Sequence, residues 1–141
     1  MSNNFLNLYE KYKFICEVKD YKSTGHICLY IQNINPIFIK KNFKEILNFI
    51  LSSTKKALEI SNKYGKKLFC THVYLENATI KNFNLSLFKK INNAINKIGD
   101  DDILETCYIY GSSTLMQKIF SIVKIFLCPQ TRKKILFVDS S

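Results

Sequence analysis

Residues 104–138 read LETCYIYGSSTLMQKIFSIVKIFLCPQTRKKILFV, and three hydrophobic rhythms succeed one another within them. Thr106 to Tyr110 is a short β-branched and aromatic run, which predicts a strand. Gly111-Ser112-Ser113 is a turn signal, with Ser113 placed to cap the next element. From Leu115 to Leu127 the apolar residues Leu115, Met116, Ile119, Phe120, Ile122, Val123, Phe126 and Leu127 recur at helical steps. Their arc is unusually wide, a pattern that a buried core helix also shows. Pro129 stops this helix, and Lys134 to Val138 predicts the last strand. Strand, helix and strand in that order make a right-handed crossover between parallel strands.

Working towards the N-terminus, the same alternation repeats. Ser86 is placed to cap a helix whose apolar stripe is Leu87, Phe88, Ile91, Ala94, Ile95 and Ile98, closed by Gly99. Leu68 to Leu75 is an apolar run too short for an ordinary helix and predicts a central strand. Between about Lys40 and Lys63 a helical stripe comprises Phe43, Ile46, Leu47, Ile50, Leu51, Thr54 and Leu58, with Tyr64-Gly65 at its end. His26 to Gln32 and Phe14 to Val18 predict two more strands. The first is nearly continuous in apolar residues, which suits a strand covered on both faces. The order is β-β-α-β-α-β-α-β: an α/β fold with a mainly parallel sheet and βαβ crossovers. Residues 1–141 form one domain, with a core at about 14–138 and a short extension over 1–13.

The composition narrows the function. Lys+Arg number 21 against 11 Asp+Glu, a net charge of +10, and Arg132 is the single arginine. This excess favours an anionic partner: phospholipid head groups, phosphoinositides or nucleic acid. Lysine in place of arginine speaks against base reading, which favours the bidentate guanidinium. Met1-Ser2-Asn3-Asn4 is not a charged segment before an apolar run, so no secretory leader is expected, nor any membrane span. The expected location is cytoplasmic. Cys16, Cys28, Cys70, Cys107 and Cys128 form no C-x-x-C pair, and buried thiols are expected rather than disulfides or a metal site.

Catalytic signatures are missing. The four glycines, at 25, 65, 99 and 111, are isolated, so no phosphate-cradling loop can form. Neither H-E-x-x-H nor G-x-S-x-G occurs. His72 and Cys70 share one side of a predicted strand, as a Cys-His pair would, but a histidine satisfied within the sheet is the commoner case. Asp100, Asp101, Asp102 and Glu105 form the one acidic cluster, placed at a helix-to-strand turn. No enzyme is expected, and no cofactor or metal.

Three segments carry a resemblance. Lys124 to Val138, KIFLCPQTRKKILFV, is similar to a "KPFLDPxTxxKIxF" segment; Asp20 to Ile31, DYKSTGHICLYI, to "D..GRPVLYI"; and Val73 to Thr79, VYLENAT, to "VYLNGAT". In this order and spacing the chain resembles a CRAL-TRIO (Sec14-like) lipid-binding domain. The third segment is similar to the divergent branch found in caytaxin-like proteins and Rho GTPase-activating proteins. Departures are His26 for an arginine, Asp100-Asp101-Asp102 for "YPE", Ser113 for a proline and Cys128 for an aspartate.

The resemblance implies a sheet floor beneath an apolar pocket, covered by a mobile helical gate over Leu115 to Leu127. It places Met116, Phe120 and Val123 against lipid, and makes Lys134 and Asp102 candidates for a phosphoinositide head group. Lys118, Lys124, Arg132 and Lys133 would meet an anionic membrane surface. The expected function is non-enzymatic binding, with intermembrane transfer, of a phospholipid, phosphoinositide or other hydrophobic molecule by a protein peripheral at membranes. A protein-interaction module, with a partner such as a small GTPase, is the alternative. Nucleic-acid binding through the lysine-rich surface is the least supported, since no aromatic-interleaved basic motif accompanies the charge.

Overall fold

The computed structural model describes residues 3–98 and 103–139. Helix α1 (Asn3–Tyr12) leads into β1 (Cys16–Tyr21) and β2 (Thr24–Tyr30), then a short α2 (Pro36–Lys41) and the long α3 (Phe43–Lys63). Then come β3 (Phe69–Tyr74), α4 (Leu85–Ile98), β4 (Leu104–Gly111), α5 (Ser113–Val123), a 3-10 turn over Lys124–Phe126, α6 (Pro129–Arg132) and β5 (Ile135–Asp139). The five strands lie in sequence order. The β1–β2 pair is antiparallel and every later pair parallel. The mainly parallel α/β sheet expected from the sequence is therefore present, made mixed by the antiparallel β1 at its edge.

Local boundaries differ for identifiable reasons. The helix expected from Lys40 is two helices. Asn35 accepts from the Ile37 and Phe38 amides and, with Pro36 in the first turn, starts α2. Asn42 then leaves helical geometry and ties its side-chain amide to the Phe38 carbonyl before α3 begins. Asn84, not Ser86, caps α4 through the Leu87 amide, and Ser112, not Ser113, caps α5 through the Leu115 amide. Pro129 opens α6 rather than ending α5. At both serines a neighbouring residue is an equally competent cap, and only the path of the incoming chain chooses between them.

Helix α3 lies on β1 and β2 through a line of small residues. Ser53, Thr54, Ala57 and Ser61 are all buried, beside Ile46, Phe49 and Ile50. Leu47, Leu51 and Leu58, expected on the same stripe, are only partly buried. The close approach explains the serines. A Cβ on Gly25 would fall 1.8 Å from the Ala57 carbonyl oxygen, and the Gly25 amide donates to Ser61 Oγ at 2.9 Å. Helix α1 covers the outer side of α3: Phe5, Tyr9 and Tyr12 all pack on Phe49. Fully burying one phenylalanine contributes roughly 1.5–3 kcal/mol, so this cluster ties the N-terminal extension to the core.

Side chains alternate across the sheet. Ile27, Leu29, Thr71, Val73, Cys107, Ile109 and Ile135 face α3, α4 and α5. The other face is an aromatic ladder, which corrects the expectation that β2 is covered by helices on both sides. Tyr30 stacks on Tyr74 at 5.3 Å and Tyr74 on Tyr110 at 4.8 Å; His26 stacks on His72 at 5.1 Å and His72 on Tyr108 at 4.9 Å. These spacings match the distance between strands, so the rings use their flat faces on one another. The continuous run in β2 thus comes from two different demands: aliphatics for a helix-covered face, aromatics for a self-stacked one.

His26 and His72 are joined within this ladder. Tyr110 Oη lies 2.8 Å from His72 Nδ1, His72 Nε2 2.9 Å from His26 Nδ1, and His26 Nε2 3.3 Å from the Tyr21 carbonyl. One set of neutral tautomers satisfies the whole series: Tyr110 donates to His72, His72 to His26, and His26 to the carbonyl. Burial, then the charges of His26 and Lys19, holds the His72 pKa below its ordinary value. The unfolded chain therefore takes up the proton first, so stability present above pH 6.5 is lost as pH falls towards the folded pKa. The urea midpoint is expected to be lower at pH 5.0 than at pH 7.5, and His72→Gln should remove most of that difference. An equal pH response in both proteins would overturn this assignment.

Candidate functional site

The cavity that matters lies between the sheet and its helical cover. It has a volume of about 190 Å³, with Val73, Cys107, Ile109 and Ile135 on its floor. Phe88, Ile91 and Ile95 of α4 and Met116, Ile119, Phe120 and Val123 of α5 form its other walls. Helical periodicity explains this, since α4 and α5 each turn one apolar stripe inward. Met116, Ile119, Val123 and Leu127 are buried, whereas Lys118, Ile122 and Ile125 on the opposite side of the segment are exposed. Met116, Phe120 and Val123 therefore stand together on one wall.

That wall has almost no polar chemistry. Among the described residues its polar side chains are Thr54, Thr71, Asn92, Cys107 and Thr131, and none that lines it is charged. Thr54 donates to the Ile50 carbonyl and Asn92 to the Phe126 carbonyl. Burial pushes the Cys107 thiol up to about 12, and burial with the Glu105 carboxylate does the same to Cys70. Both remain protonated thiols near neutral pH, unlike an activated nucleophile. A second concavity, about 290 Å³, is bordered by Phe5, Leu6, Tyr9, Val18, Phe49 and Lys56, and is more open to solvent. Lys56, the one cation among its described lining residues, pairs with Glu59 at 3.6 Å.

The other expected site residues fall less neatly. Lys134 stands beside the cavity-lining Leu104 and Ile135, and its ammonium donates to the Leu104 carbonyl at 2.5 Å. Asp102, like Gly99, Asp100 and Asp101, lies outside the described residues. Lys118, Lys124, Arg132 and Lys133 are all exposed, and Arg132 also donates from Nε to the Leu127 carbonyl. The sequence reading missed what lies between these cations. Ile125 is 71% exposed, Ile122 and Phe126 are each 36% exposed, and Lys89 of α4 sits 4.1 Å over the Phe126 ring. An exposed apolar ridge thus runs along α5 and into the 3-10 turn after it, with Lys89 over one end and Lys118 and Lys124 exposed on the same segment. The signal was present in the wide arc, because eight apolar residues are more than one buried face can use.

Among the described residues no group of three or more His, Cys, Asp or Glu could hold a metal ion, and no helix is long and apolar enough to cross a membrane. Comparison with known proteins joins this geometry to a family. The profile of the CRAL/TRIO domain matches residues 9–141, nearly the whole chain. The chain belongs to the CRAL/TRIO domain family. Domains of this family are typically non-enzymatic modules for lipids and other hydrophobic ligands. No curated protein matches the sequence of this CRAL/TRIO domain. Among solved structures it is similar to "Crystal structure of Sfh5", a Sec14-like protein, at 12% identity and a TM-score of 0.71. The match covers 91% of this chain and 50% of that one, so the CRAL/TRIO domain described here spans about half the length of that relative.

Proposed function

We propose that this CRAL/TRIO domain binds a membrane-derived hydrophobic molecule, a phospholipid or similar ligand, in the cavity between its sheet floor and α4–α5. The observation that carries the reading is the cavity wall itself, predominantly aliphatic and aromatic and, among the described residues, without a charged side chain. Burying hydrocarbon there gains roughly 25 cal/mol for each Å² removed from water, with no competing polar demand. Helix α5 acts as the movable cover. It is held below by Met116, Ile119 and Val123, and its outer ridge of Ile122, Ile125 and Phe126 meets the bilayer interface. The surrounding lysines are drawn to anionic head groups.

Native mass spectrometry of the purified protein tests this, together with organic extraction and incubation with liposomes of mixed lipid classes. Close to one lipid per chain is expected. Protein that is empty as purified and takes nothing from liposomes would overturn the proposal. Lys134 is assigned to a phosphate at the end of the cavity, where it would exchange the Leu104 carbonyl for the stronger acceptor. Lys134→Ala should weaken pickup of phosphate-headed lipid about tenfold while sparing neutral lipid, since a charge-assisted hydrogen bond contributes about 1.5–3 kcal/mol. Equal loss for both classes would make Lys134 a structural residue.

The interaction-module alternative loses ground because the cavity is present. Base stacking by the sheet is disfavoured by the ladder, whose rings already occupy each other's faces.

A further inference from the structure

Resting on that reading, we infer that the cavity accepts a single hydrocarbon chain, so that the cargo is a one-chain lipid whose head remains outside. The first ground is size. An apolar protein cavity of about 150 Å³ holds one benzene, so about 190 Å³ admits a stretch of one hydrocarbon chain but not two chains together. The second is shape. The lining runs from Ile27 and Leu29 on β2, across β3 and β4, to Ile135 on β5. That path crosses three strand spacings, ~14 Å in all. A small volume drawn out over this length is a narrow slot, suited to one chain lying across the strands and too thin for two side by side.

The third ground is the wall. No cation among the described residues lines the slot to receive a phosphate. Among the described residues, the buried side-chain polar atoms without a hydrogen-bond partner are Gln32 Oε1 and Ser53 Oγ, and neither residue borders it. A polar head drawn inside would thus lose its water and meet little in return. Lys134, next to Leu104 and Ile135, and Arg132, which donates to the Leu127 carbonyl, stand beside the lining rather than within it. A two-chain lipid would leave its second chain in water and stay with the bilayer.

The test offers the full chain vesicles of dioleoylphosphatidylcholine and dioleoylphosphatidylinositol containing equal parts of 1-dodecanol and lysophosphatidylcholine. The protein is separated from the vesicles, and its extracted lipids are counted per chain. Near one single-chain molecule per protein is expected, with two-chain lipids at least tenfold lower. A two-chain lipid near one per protein overturns this inference and leaves the hydrophobic-ligand reading standing. No lipid of any class overturns both. Ile109→Phe, on the slot floor, should lower single-chain loading at least tenfold with an unchanged melting temperature. A folded variant that still loads fully places the chain elsewhere and also overturns the inference. Should that protein not fold, Val123→Phe replaces it, and the wild-type ratio decides by itself.

Discussion

Replacing Gly25 by alanine is expected to lower the melting temperature by about 10 °C or to leave the protein unfolded. The new Cβ would sit 1.8 Å from the Ala57 carbonyl oxygen, 2.5 Å from its carbonyl carbon and 2.7 Å from its Cα. All three are backbone atoms in the middle of α3, so no side chain can swing aside. Either α3 lifts from β2 or β2 leaves register, and both break the contact at 2.9 Å between the Gly25 amide and Ser61 Oγ. Overpacking of this kind costs about 3 kcal/mol or more, which corresponds to roughly 10 °C for a domain of this size. Gly65→Ala is the control. Its φ of +77° strains alanine, but nothing lies within 4 Å of the added carbon, so a loss of only about 1 kcal/mol is expected. Thermal unfolding monitored by circular dichroism would compare the two. A Gly25→Ala protein as stable as Gly65→Ala would show that the contact between α3 and β2 is not tight.

The second large effect concerns the exposed lysines of α5 and of the segment that follows it. Lys118, Lys124 and Lys133 are exposed. Neutralising all three to glutamine should cut binding to vesicles rich in anionic lipid about 100-fold at low salt. Each basic residue near such a surface contributes about 1 kcal/mol, and about 1.4 kcal/mol is a factor of ten. Binding of the unaltered protein should fall in the same direction as salt is raised, because these charges are solvated and screened. Ile125→Ser should behave differently. It removes apolar surface that is 71% exposed, so it should weaken binding to neutral and anionic vesicles alike, with little salt dependence. Fold stability should be nearly unchanged in both proteins, since the substituted side chains lie at the surface. Vesicle co-sedimentation reads each result. Undiminished binding of the triple variant to anionic vesicles would dismiss the docking surface.

These expectations draw unequally on sequence and structure. Lys118, Lys124, Arg132 and Lys133 were legible as a basic group because a lysine or arginine in a polar position is almost always solvated. Ile125 lay outside the counted arc, and only the fold shows it standing proud of α5. Met116, Phe120 and Val123 were placed by a resemblance; the packing of α5 against the sheet puts all three on the cavity wall. Gly25 was legible only as one of four isolated glycines. Its need for a missing Cβ comes from Ala57, 32 positions away. The histidines were read singly, and their bond to one another depends on the register that sets β2 against β3.

The order of elements, the mostly parallel sheet and the apolar character of α4 and α5 are written locally in the chain. They come from short-range periodicity and from turn residues that act within a few positions. Which apolar residues face one another, how much space remains between them, and that Lys89 of α4 comes to lie over the Phe126 ring became fixed only on folding. Those are long-range quantities. A helix stripe states that a face must be covered, but the distance to the covering surface is set by the sizes of side chains that meet only in the folded state. The slot of about 190 Å³ is the remainder left by side chains such as Val73, Ile109, Phe88 and Met116, which come from four separate elements.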